Sequence, residues 1–181
     1  MFDMLLPVSI YLVDSILSGI YLQGFLKQKY GKKAVLAVWG AAYFLIQIVV
    51  FEILDARFPI SEVVGIILNV CVLLFMQLIF FEKDIQKQLF TVFSFVAGKE
   101  LIKYIASAIS NAFIGLWNKA FDILLAKSAL NTLDKLYSWI DISIAVTAVI
   151  CVLFYAFLLS VYLLLISRKF VKKDYLLHCN F

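Results

Sequence analysis

The sequence has little of what punctuates or charges a soluble fold. Two prolines and seven glycines are spread over 181 residues. Few turn signals follow from that scarcity, and the short alternating strands of a membrane β-barrel are absent from the pattern. Charged residues make up only 15% of the chain. The cysteines, Cys71, Cys151 and Cys179, are too scattered for a disulfide framework or a metal site. The single histidine, His178, lies in LLHCNF. Neither HExxH nor another zinc motif is present, and no His, Ser, Cys and acid cluster has a workable spacing. His178 and Cys179 make a poor nucleophilic pair, because adjacent side chains seldom face each other and no third group is evident. The expectation is a non-enzymatic protein without cofactor or bound metal. A basic n-region is also missing: Asp3 stands in its place and no small-residue cleavage site follows, so the first apolar run is expected to be retained.

What the sequence does have is apolar surface. It is 65% hydrophobic, with 17 Phe, and its mean hydropathy is +1.02. A soluble domain of this length has no core large enough to hide so much. Several runs approach the roughly 20 residues needed to cross a hydrocarbon layer. We expect an all-α integral membrane protein, a polytopic bundle of about five transmembrane helices plus one interfacial amphipathic helix, forming a single domain over residues 1–181. The expected spans are residues 5–26, 34–54, 60–81, 88–110 and 142–166, with the amphipathic segment at 111–136. The net charge of +4 lies mostly beside these spans, where it orients them and gives no cause to expect nucleic-acid binding.

Two basic clusters fix the expected topology. Lys27, Lys29, Lys32 and Lys33 follow span 1, and Arg168, Lys169, Lys172 and Lys173 follow span 5. Both belong in the cytoplasm if the chain crosses five times with its N-terminus outside. The linker with Glu52, Asp55, Arg57 and Pro59 then lies outside, and Ser61 is a candidate cap for span 3. Pro7 suits the first turn of span 1. Ser15 and Gly19, Ser94 and Gly98, and Ala106 and Ser110 are pairs of small residues four apart, suited to close helix contact. Trp39, Tyr43, Trp117 and Trp139 are read as interfacial anchors, and Cys71 and Cys151 as core fillers. Trp117 lies on the amphipathic segment, where a hydrophobic peptide could dock.

The segment that organises the rest is span 4. It is apolar enough to cross, yet carries Lys99, Glu100 and Lys103 near its middle. Such charges cannot face lipid and must point into a bundle or a watery cavity. Lys99 and Lys103 share a face, and Glu100 is three residues from Lys103, within reach of a local pair. Asp14 lies at about the same depth in span 1 as Lys99 in span 4, at 1.5 Å per residue, which makes it a partner for a span-4 lysine. The alternative is an Asp14 protonated in apolar surroundings or turned to a local serine. Gln47, Asn69 and Gln77 are buried amides expected to bond across helices, the last two on one stripe. The candidate ligand-binding or signalling residues are therefore Asp14, Lys99, Glu100, Lys103, Asn69 and Gln47.

At KQKYGKK, at the Leu74–Phe81 run followed by EKDIQKQLF, and above all at FSFVAGKELIKYI, the chain resembles the membrane sensor region of quorum-sensing histidine kinases of the GHKL class. The resemblance covers nearly the whole chain by hydropathy and spacing. It implies that Glu100 matches an inward glutamate of that family, and that SRKFVKKDYLL matches the basic stretch after its fifth span. Family members continue through two more spans, a helix with a phosphoaccepting histidine and an ATP-binding domain, and this sequence has no glycine-rich nucleotide loop. The expected function is that of a sensor-like module in a bacterial cell membrane. It would bind a hydrophobic peptide or similar signal and pass a conformational change to a membrane or cytoplasmic protein partner. Two rivals stand beside it. A substrate-capturing component of a vitamin-type transporter would show a closed polar cavity in mid-membrane, and an accessory protein would show a continuous small-residue or apolar stripe.

Overall fold

Long apolar runs without internal breakers leave helix as the way to satisfy the backbone, and five helices account for almost all of the described chain. The computed structural model describes residues 2–50, 61–126 and 133–171. Helix α1 covers Phe2–Phe25, α2 Lys32–Gln47, α3 Glu62–Phe80, α4 Ile85–Ala126 and α5 Leu133–Val171. Four stretches, residues 6–25, 32–50, 62–80 and 137–168, are long and apolar enough to cross a membrane. Helix α4 is long enough too, but its central stretch holds Lys99, Glu100 and Lys103.

Local chemistry sets the helix starts. Ser61 caps α3, its hydroxyl accepting from the Val64 N–H at 3.4 Å. Asp84 does the same for α4, accepting from the Lys87 N–H at 3.2 Å. Pro7 lies inside α1, further along than its expected place in the first turn, because the helix already begins at Phe2. It removes one backbone donor there. The linker residues Glu52, Asp55, Arg57 and Pro59 fall outside the described residues, as do Lys172, Lys173, His178 and Cys179.

The turns after α1 and α3 meet at one end of the bundle. Glu82 N–H donates to the Lys27 carbonyl at 2.8 Å and Lys29 N–H to the Phe80 carbonyl at 3.0 Å. Gln28 and Phe81 thereby form an isolated antiparallel bridge. Lys27 and Glu82 add an ion pair at 2.9 Å. A side chain at Gly24 would lie 3.5 Å from Ser167, which brings the far part of α5 to the same end. The stretches bearing Lys27–Lys33 and Arg168 therefore share one end of the bundle.

Small residues set the closest approaches. At Gly98 a Cβ would come within 2.0 Å of the Tyr162 ring, an approach of α4 to α5 that glycine permits, and at Gly19 within 2.8 Å of the end of the Leu36 side chain, a close but more yielding contact of α1 with α2. Trp39 and Tyr43 are fully buried and so are not interfacial anchors. Trp39 packs edge-on to Phe80 and Phe81, with centroids 5.9 and 5.7 Å away. The indole also has a donor to satisfy, and a serine on α1 provides the acceptor, which a lipid interface would not fix in place. Cys71 is exposed rather than a core filler, and Cys151 is partly exposed. Large apolar side chains such as Phe75 and Phe157 point outward, each 65% exposed.

The amphipathic segment at 111–136 is not a separate helix over its described part. Helix α4 runs unbroken through residue 126, and α5 begins at residue 133, earlier than the Tyr137 start expected for the helix that carries the 142–166 span. No proline interrupts 111–126, and the apolar side of this stretch has a protein partner. Trp117 stacks on Trp139 with centroids 5.5 Å apart and planes 8° from parallel. Its indole N–H donates to Ser143 at 2.7 Å. At 1.5 Å per residue α4 is about 63 Å long and α5 about 58 Å, roughly twice a hydrocarbon core.

Candidate functional site

Several of the buried polar groups converge midway along the bundle. Asp14 on α1 is fully buried, and Lys99 on α4 is 7% exposed. Their ion pair is 2.6 Å long, between Lys99 Nζ and Asp14 Oδ2. The other carboxylate oxygen, Oδ1, accepts from the Tyr155 hydroxyl on α5. Lys99 Nζ also donates to Gln47 Oε1 on α2 at 3.3 Å. Gln47 Nε2 in turn donates to Ser15 Oγ at 3.1 Å, and Trp39 Nε1 to Ser18 Oγ at 3.0 Å. Beside this chain, the Tyr43 hydroxyl donates to Asn69 Oδ1 on α3 at 2.6 Å. Each of the five helices thus contributes a side chain to one polar layer. Burial at this depth requires that partnering, since an unpaired charge in an apolar interior is costly.

Two cavities open above this layer, on the side away from the basic turns. The larger, about 700 Å³, is a cleft between α4 and α5 that runs from Tyr155 up to the Trp117–Trp139 stack. Its walls are apolar or small, with Ala106, Ser107 and Ser110 facing Ser143, Thr147 and Ala148. Lys103 is the one charged side chain lining it among the described residues. The smaller cavity, about 310 Å³, lies between α1, α3 and α4 and touches Asn69, Lys99 and Glu100. Leu6, Ile10, Lys103 and Tyr155 line both, so the two are neighbouring parts of one space. Glu100 is half-buried, and its carboxylate is 3.7 Å from the Lys103 ammonium, whose side chain is 57% exposed. At the rim, the Tyr104 hydroxyl donates to Glu62.

All six candidate residues fall in or next to this region, with different roles. Asp14, Lys99 and Gln47 are bonded together. Asn69 is tied to Tyr43 and touches the smaller cavity. Glu100 and Lys103 face the cavities from above the layer. Gln77 is separate, near the basic end, where its Nε2 donates to Thr91 at 3.2 Å. Tyr43, Tyr155, Ser15, Ser18 and Trp39 were not among the candidates. A sign of them existed: a buried carboxylate has two oxygens to satisfy, and Tyr155 is a hydroxyl in the middle of the apolar run of α5.

Compared with known proteins, the chain matches no family model, no curated protein and no solved structure.

Proposed function

We propose that this chain is a membrane-embedded sensor-like module. A hydrophobic peptide or similar signal enters the α4–α5 cleft from the outer side, and the response leaves through α5 toward the basic end. The observation that carries this reading is the cleft itself: about 700 Å³, apolar-walled, and floored by Tyr155, the residue that also holds Asp14. A ligand that displaces the Tyr155 ring must change the hydrogen bonding of the buried ion pair. That pair joins α1 to α4, while Tyr155 belongs to the helix that ends beside the basic turns. The reading takes the N-terminus as outside, the basic turns as cytoplasmic, and α4 as the fourth of five spans, with Lys99 buried by its neighbours. A partner protein on the cytoplasmic side receives the motion, in keeping with the resemblance to peptide-responsive sensor regions.

The geometry favours this over substrate capture for transport. The mid-bundle polar groups bond to one another, whereas the large open space lies above them and is mostly apolar. The test uses purified protein in lipid nanodiscs and a panel of hydrophobic peptides. Trp fluorescence reports binding, and a nitroxide pair at Gln23 and Arg168 reports motion at the inner end. Ala148→Trp, which fills the cleft, is expected to abolish both signals. Unchanged binding to that variant would place the ligand elsewhere. Binding without any change in the nitroxide distance would remove the signalling half of the proposal.

A further inference from the structure

We infer that the cleft takes its peptide carboxylate-first, with the C-terminal carboxylate on Lys103 and the body extended toward the Trp117–Trp139 stack. This deepens the proposed function and rests on it. Two lysines one turn apart on α4 differ in how they are held: Lys99 is buried and Lys103 is exposed. Lys99 has a carboxylate at 2.6 Å and an amide oxygen at 3.3 Å. Among the described residues the ion partner of Lys103 is Glu100 at 3.7 Å, longer than a charge-assisted hydrogen bond, and Lys103 lines the cleft with its side chain 57% exposed. Among the described residues the larger cleft is mostly apolar with one ammonium, and Glu100 lies in the neighbouring cavity, so the cleft itself is complementary to a single anionic group on an apolar body.

Depth identifies the kind of anion. Taking the Asp14–Lys99 pair as mid-bilayer, Lys103 is four residues further along α4, about 6 Å above it at 1.5 Å per residue. The Trp117 ring, eighteen residues beyond Lys99, is about 27 Å above it, past the edge of a hydrocarbon core about 15 Å in half-thickness. A membrane phospholipid carries its phosphate in the headgroup layer, between about 15 and 22 Å from mid-bilayer, still well above Lys103. A ligand arriving from outside and inserting its charged end first can reach Lys103. From Lys103 to Trp117 is about 21 Å along the helix, which an extended peptide spans in about six residues at roughly 3.3 Å each. At the top, Trp139 Nε1 is buried and has no hydrogen-bond partner among the described residues. It offers a donor for a peptide carbonyl where the stacked rings offer an apolar surface.

The test needs no knowledge of the natural sequence. A pool of hydrophobic hexapeptides, synthesised once as free acids and once as C-terminal amides, is mixed and presented to the full chain in zwitterionic nanodiscs. Retained peptides are counted by mass spectrometry against protein-free nanodiscs. The expected result is at least tenfold enrichment of acids over amides by the wild-type protein, loss of that preference with Lys103→Gln, and its retention with Lys103→Arg. Equal retention of acids and amides by the wild-type protein, or an acid preference that survives Lys103→Gln, would overturn the carboxylate assignment while leaving a peptide-binding cleft. Retention no greater than by protein-free discs would overturn both.

Discussion

The Asp14–Lys99 pair makes a sharp energetic test, because its two members should be worth more together than apart. Both are buried, at 0% and 7% exposure. Asp14→Asn keeps side-chain size and an acceptor for Tyr155, but leaves the Lys99 ammonium with only the Gln47 oxygen at 3.3 Å. Lys99→Met keeps the length of the stem and leaves the Asp14 carboxylate with the Tyr155 hydroxyl alone. Breaking a buried pair by removing one partner costs about 3–5 kcal/mol, since the remaining charge is uncompensated. Replacing both removes the charge from the interior, along with its desolvation cost. The double variant Asp14→Asn/Lys99→Met is therefore expected to be more stable than either single variant. Unfolding in mixed detergent–SDS micelles, followed by helicity and by the buried Trp39, measures all four corners of the cycle. Single variants within about 1 kcal/mol of wild type, or a double variant less stable than both, would refute the claim that these charges depend on each other.

Other expectations are simpler. Gly98→Ala would set a methyl 2.0 Å from the Tyr162 ring, and overpacking of this kind costs about 1–3 kcal/mol in the same unfolding assay. Tyr155→Phe removes one hydrogen bond to a buried carboxylate, expected to cost about 1.5–3 kcal/mol, and the loss should shrink sharply in an Asp14→Asn background. Glu82→Gln, by contrast, breaks the Lys27 pair where the two side chains are 80% and 50% exposed, so less than about 1 kcal/mol is expected and the effect should fade with added salt.

The residues that could be read from the sequence were those whose chemistry conflicts with their surroundings. A lysine in an apolar run must be partnered, and depth counted along a helix was enough to name Asp14 as a partner for it. The same reasoning found Gln47 and Asn69. It missed Tyr43, Tyr155 and Trp39, because an aromatic side chain is at home both in a core and at a lipid interface. Only the position of neighbouring helices decides between them, as Ser18 and Phe80 do for Trp39. The end of α4 was missed for a related reason. Lys119 and Asp122 interrupt the apolar pattern, which hydropathy reads as a helix lying on the surface. Nothing in that pattern shows that α5 would supply Trp139 and Ser143 as partners.

That extension changes what the polar layer can do. If α4 had ended near Ser110, Lys103 would lie just below the rim of a shallow surface. Continued to Ala126 and packed against α5, the helix instead walls a deep cleft whose floor is shared with the buried pair. The glycine contact at Gly98 pins α4 and α5 together below the polar layer, and the indole stack joins them above the cleft. Between those two fixed points many of the facing side chains are small, among them Ala106, Ser107, Ser110, Ser143 and Ala148, so the space is held open without being filled. Any molecule that occupies the cleft meets Tyr155 before it meets Asp14 or Lys99, and the hydroxyl of that tyrosine ties α5 to the charged pair on the other two helices.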